Sequence, residues 1–121
     1  MSDKSTSRTC MALDLKDNEQ LIAAYEQYHQ QGHIWPEIPA GIRNAGIADM
    51  QIYRIGVRLF MIVDCDENTC LKMAFEKMST MPRQKEWAVL MDHFQQALPQ
   101  AGNGEHWAVM KPVFLLKEHI G

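Results

Sequence analysis

The chain has 121 residues, a hydrophobic fraction of 46%, a charged fraction of 22% and a formal net charge of -3. Those values fit one folded domain and exclude a disordered chain, which carries fewer apolar residues and more net charge. No Lys/Arg stripe is present and no apolar run reaches the roughly 20 residues that span a bilayer, so neither nucleic acid nor membrane is expected as a partner. Residues 1–8 are polar, lack the apolar core of a signal peptide and read as a flexible tail, which leaves residues 9–121 as the single domain. Thr9, Met11, Leu13 and Leu15 alternate with Cys10, Ala12 and Asp14, the period of a strand with one apolar face. Asp17 and Asn18 offer a helix cap, with Glu19 in the first turn. Leu21, Ala24, Tyr25, Tyr28 and His29 then share one helical stripe, and Gly32 is its expected stop. A short helical piece follows Pro36 through Ile38, Ile42 and Ala45, ending at Gly46.

Residues 47–55 and 57–64 read as an antiparallel hairpin turning at Gly56. Residues 67–81 are helical. Pro82 breaks that helix and starts the next, over 83–98. The segment 99–104 has the composition of a loop, and a last strand is expected over 110–117, held to an edge position or its own start by Pro112. The order β-α-β-β-α-β is that of the ferredoxin-like α+β fold, one antiparallel sheet with helices on one face. Leu59-Phe60-Met61-Ile62-Val63 is apolar at every position, while side chains on a strand alternate between faces. Both faces of the sheet therefore need cover. Helices supply one, and a second copy of the chain is expected on the other, giving a homodimer. The alternative is cover from the chain's own loops or tail.

The densest run of chemically useful residues is Tyr25-Glu26-Gln27-Tyr28-His29-Gln30-Gln31-Gly32-His33-Ile34-Trp35-Pro36-Glu37. Tyr25 and His29 are four apart and stack on the apolar face of their helix, so a phenol and an imidazole are aimed at the sheet. Two readings stay open here: a core pair satisfied by backbone hydrogen bonds, or a proton-transfer pair. Histidine exchanges a proton near neutral pH, a Trp face stacks on a sugar ring, and Glu37 can accept from hydroxyls, a composition that suits a small polyol. No metal is expected. His29 and His33 have a ligand-like spacing, but Gly32 intervenes and no third ligand follows. No phosphate-binding glycine loop or nucleophile elbow is present, so no cofactor is expected either. Cys10, Cys65 and Cys70 are an odd number beside apolar segments and read as free thiols of a reducing cytoplasm. His93, His106 and His119 each follow a carboxylate and read as solvent-exposed.

Tyr25-x-x-x-His29 followed by Ile34-Trp35-Pro36-Glu37 resembles the signature of the L-rhamnose mutarotase family. Ala45-Gly46-Ile47, Ile52-Tyr53-Arg54 and Arg58-Leu59-Phe60-Met61 extend the likeness over residues 9–116. The resemblance implies a dimeric α+β barrel of ferredoxin-like subunits. It implies interconversion of the α and β anomers of a free 6-deoxy-L-sugar, L-fucose or L-rhamnose, without a cofactor. It makes His29 the proton donor, has Tyr25 contact the substrate and lets Trp87 close over the sugar. Three departures stand out. Two extra residues between His29 and Trp-Pro-Glu make His33 a rival for the histidine role. Met50 stands near the place of a substrate-contacting tyrosine, and Glu86-Trp87 replaces a Trp-Trp pair. Those changes look like the L-fucose branch. The expected mechanism opens and recloses the ring, with His29 as the acid at the ring oxygen. Glu86, Glu37, a tyrosine or water is the base, and Trp35 and Trp87 hold the ring. Two other readings remain, a non-catalytic sugar-binding module and a small dimeric α+β barrel oxygenase.

Overall fold

The computed structural model describes residues 7–102 and 106–120. Strand β1 (Ser7–Leu15) begins within the expected tail, since Ser7 and Arg8 already pair with Cys65 and Asp64, and residues 1–6 lie outside the described residues. Helices α1 (Glu19–Tyr28) and α2 (Glu37–Asn44) follow, then β2 (Ile47–Ile55), β3 (Arg58–Cys65), α3 (Leu71–Met78) and α4 (Gln84–Asp92). Two short strands, β4 (Gln95–Gln96) and β5 (Ala108–Val109), complete the sheet. Its order is β2-β3-β1-β4, with β5 also on β1, and every pairing is antiparallel. This is the ferredoxin-like α+β arrangement that the order of elements predicts.

Local chemistry sets the element ends. Asn18 is extended, and its side chain accepts from the Leu21 N–H at 3.0 Å, which satisfies one of the free donors of α1. Gly46 follows α2 at φ +103°, a conformation that L side chains rarely adopt, and a Cβ there would sit 3.1 Å from Thr69 Cγ2. It turns the chain sharply from α2 into β2.

The core lies between the helices and one sheet face. Met11, Leu13 and Leu15 of β1 and Leu59, Met61, Val63 and Cys65 of β3 are all buried on that side. Ile47 and Ala74 extend it toward α3, while Tyr25, Met91 and Phe94 extend it toward α1 and α4. The opposite face carries Tyr53, Phe60 and Ala12 across three strands in register, with Gln51, Ile62 and Cys10 in the next row.

Three expectations change. The helix expected over 67–81 begins only at Leu71, after a turn closed by the Thr69 N–H on Asp66 O. The helix expected over 83–98 stops at Asp92. Phe94 buries its ring against Tyr25 and Tyr28, Lys16 N–H donates to Phe94 O, and Gln95 and Gln96 pair with Leu15 and Asp14. Pairing on the free edge of β1 overrides local helix propensity. The last strand, expected over 110–117, is reduced to Ala108–Val109 beside Ala12 and Met11, with one further bond from Met110 N–H to Cys10 O. Pro112 cannot donate to a ladder, and β1 already shares this edge with β4. A 3-10 turn, Leu116–Glu118, follows. Of the expected loop over 99–104, residues 103 and 104 lie outside the described residues.

Candidate active site

Helix α1 ends one turn before Gly32, and that end makes the site. The His29 N–H turns to Glu26 O at 3.1 Å and so leaves the Tyr25 carbonyl, a terminal acceptor of the helix. The His29 side chain takes up that acceptor, with Nδ1 2.7 Å from Tyr25 O. A carbonyl oxygen only accepts, so Nδ1 carries the proton and Nε2 is the acceptor of the neutral ring. Burial pushes the His29 pKa below its ordinary 6.5, and the bond to Tyr25 O offsets only part of that shift. The resting imidazole is therefore neutral at pH 7.

Tyr25 itself is buried, with its ring 4.3 Å from that of His29 between centroids. Burial pushes its pKa up to about 12, and the nearby Gln95 amide offsets only part of that rise. The phenol keeps its proton across the neutral range.

Both residues line a cavity of about 1040 Å³ between the helices and the sheet, at the top of the range of small-molecule sites. Its walls are mostly apolar, and Met50, Ile52 and Met61 come from the sheet. Trp87 of α4 closes one side, 5.3 Å from His29 and 5.2 Å from Trp35 between ring centroids.

Of the residues singled out in the sequence, Tyr25, His29, Met50 and Trp87 line this cavity together. Trp35, Glu37 and Glu86 stand behind them, gathered around Arg83. The Arg83 guanidinium lies 3.9 Å over the Trp35 ring, 3.5 Å from Glu86 and 3.9 Å from Glu37. Glu37 Oε1 is buried without a hydrogen-bond partner, so it is an acceptor left open at this rim. Arg83 adopts φ 62° as the residue before α4, a left-handed conformation that is costly for a side chain of this size. His33 is exposed in the turn after α1 and does not line the cavity, whereas His29 does.

Asp92, Gln95, His106 and Trp107, none of them a site candidate by sequence pattern, also line the cavity. His106, expected in solvent, instead places Nδ1 3.1 Å from Gln95 Oε1 and Nε2 3.2 Å from Asp92 Oδ1. Gln95 was hidden by the overlong helix. His106 was noticed only for its neighbour in sequence, and its partners come from eleven and fourteen positions away. His93 and His119 are exposed as expected.

The arrangement offers a proton acceptor and a proton donor side by side, an aromatic wall and an apolar floor. That is suited to acid/base chemistry on a small neutral polyol.

The sequence model of the L-rhamnose mutarotase family matches residues 8–116. The L-fucose mutarotase of Xanthomonas campestris pv. campestris is 38% identical over 116 residues, covering 96% of this chain and 93% of the relative. Among solved structures, an L-rhamnose mutarotase of Formosa agariphila superposes with a TM-score of 0.61 at 18% identity, covering 90% of this chain and 97% of that one. Tetracenomycin F2 cyclase of Streptomyces glaucescens, a type-II polyketide cyclase, superposes with a TM-score of 0.56 at 14% identity, with the same coverage. Those two likenesses bear on the fold alone.

Proposed function

The chain belongs to the L-rhamnose mutarotase family, and we infer that it is a carbohydrate isomerase that interconverts sugar anomers, with free L-fucose as its substrate. The choice of sugar is supported by the 38% identical relative, which is named for L-fucose and is covered almost end to end. Met50 in the cavity wall agrees with that choice, because a thioether replaces a phenol there.

The observation that carries the mechanism is the half-buried His29 imidazole, fixed by Nδ1 on the Tyr25 carbonyl with Nε2 as its acceptor. Mutarotation needs one proton taken from the anomeric hydroxyl and one given to the ring oxygen, followed by the reverse after rotation about the C1–C2 bond. His29 is the residue proposed to move a proton. Tyr25 and Met50 contact the sugar, and Trp87, backed by Trp35, covers its ring. Glu37 and Glu86 act at the rim through Arg83 or through substrate hydroxyls.

Exchange NMR on L-fucose tests this reading. The parent accelerates α/β exchange, and His29→Ala lowers the rate by about 10²–10⁴. A folded His29→Ala protein with the parent's rate would remove His29 from the mechanism.

We place the working form as a cytoplasmic homodimer. The sheet face bearing Phe60 and Ile62 lies opposite the buried row of Leu59, Met61 and Val63, and Val113, Phe114 and Leu116 are exposed at 95%, 65% and 58%. Large apolar side chains so exposed are typical of surfaces that pair. Cys10, Cys65 and Cys70 are all free, in keeping with a reducing compartment.

A further inference from the structure

Glycine enters a backbone at φ 62° without steric cost, yet an arginine stands there, one residue before α4. A side chain kept at such a position has to offset what the backbone loses. The neighbours of Arg83 hold it in place. The Trp87 N–H donates to Arg83 O at 3.0 Å, which starts the hydrogen bonding of α4. The buried Gln84 side chain donates through Nε2 to Glu37 O and Ile38 O, each at 3.2 Å, and so docks the start of α4 on the start of α2. Arg83 and Trp35 stand just outside these two docked ends. From Arg83 a row of flat groups runs into the site. The guanidinium carbon lies 3.9 Å from the Trp35 ring centroid. Trp35 meets Trp87 at 5.2 Å and 71°, and Trp87 meets His29 at 5.3 Å and 72°, both edge to face. Trp87 has aromatic partners in Tyr28 and His29 of α1 and, outside that helix, in Trp35. Glu86 of α4 and Glu37 of α2, 3.5 and 3.9 Å from the guanidinium, set its place from both helices.

We propose that Arg83 is a positioning residue for sugar binding: its guanidinium holds Trp35 against Trp87 and so sets the aromatic wall that covers the sugar ring. This rests on the mutarotase reading. Trp87 lines the cavity and Arg83 does not, so Arg83 acts on the sugar through the two indoles. The face of an indole is electron-rich and attracts a cation, and a planar cation stacked there fixes the plane of the ring. Without the guanidinium, Trp35 is free to tilt, and Trp87 loses its support outside α1. Glu37 and Glu86 would then share one rim with the charge between them gone, which works against the docking of α2 on α4. Two rings separate the guanidinium from the His29 imidazole. Arg83 therefore governs how tightly the sugar is held, and proton transfer proceeds once the sugar is bound.

Arg83→Gly separates the backbone from the side chain. Glycine accepts φ 62°, so the variant is expected to fold while the guanidinium is lost. In exchange NMR on L-fucose, KM is expected to rise about tenfold while the saturating rate stays within about twofold of the parent's. Arg83→Lys keeps a cation for the Trp35 ring and is expected to recover part of the parent's KM. Arg83→Gln is polar but neutral and should bind as weakly as Arg83→Gly. If Arg83→Gly does not fold, Arg83→Asn takes its place, because asparagine tolerates the left-handed conformation. A folded Arg83→Gly or Arg83→Asn protein with the parent's KM would overturn the proposal, as would an Arg83→Gln protein that binds L-fucose as well as Arg83→Lys. Should the parent fail to accelerate exchange of either L-fucose or L-rhamnose, the mutarotase reading falls, and the indole N–H signals of the parent and of Arg83→Gly still judge the positioning claim. A shift of the Trp87 signal together with that of Trp35 supports it, while an unmoved Trp87 signal overturns it.

Discussion

At the scale of the residue, two opposed effects act on His29, and burial outweighs the hydrogen bond to Tyr25 O. The folded protein holds this ring neutral more firmly than the unfolded chain does. The unfolded chain therefore binds the extra proton first as pH falls. The contribution of neutral His29 to stability is complete above about pH 6.5 and declines as pH drops through that value toward the lower folded pKa. Activity that needs Nε2 as acceptor follows the folded value. The acid limb of the exchange rate is expected below pH 6.5, and a limb centred above it would contradict the neutral ring. Tyr25 works in the other direction. Its folded pKa, about 12, lies above the value of about 10 in the unfolded chain. Its contribution is present below pH 10 and is lost as pH rises toward 12, so no loss of rate from Tyr25 ionisation is expected between pH 7 and 9.

At the scale of the element, caps and turns decide where the site residues stand. Asn18→Ala removes the bond to Leu21 N–H and is expected to cost about 1 kcal/mol in denaturant unfolding. Gly46→Ala meets both the left-handed backbone and Thr69, and should cost more than that cap. Leu59→Ala, at a fully buried position of β3, is expected to cost about 2–5 kcal/mol. The elements with strong local signals were legible in the sequence: the alternation before Leu15, the cap at Asn18, the hairpin about Gly56. Tyr25 and His29 were legible for the same reason, as helical spacing alone puts them on one face. The end of α4 and the strand at Gln95 were not, because that pairing depends on the open edge of β1, far away in sequence. The same long-range contact brings Gln95 and His106 to the cavity that Tyr25 lines, so this part of its wall could not be seen in any local pattern.

At the scale of the whole molecule, the apolar run from Leu59 to Val63 asked for two covered faces, and the chain's own helices supply one. Phe60 and Ile62 stand on the other, in register with Ala12 and Cys10. Ile62→Asp puts a charge there, and sedimentation is expected to show monomers where the parent sediments as a dimer. An unchanged parent-like dimer would mean that the pairing surface lies elsewhere. Exchange NMR on equilibrated L-fucose measures the reaction itself. The protein is expected to speed α/β exchange without changing the anomer ratio, to act less on L-rhamnose, and to lose the effect in His29→Ala. Unaccelerated exchange of both sugars by folded protein would contradict that expectation.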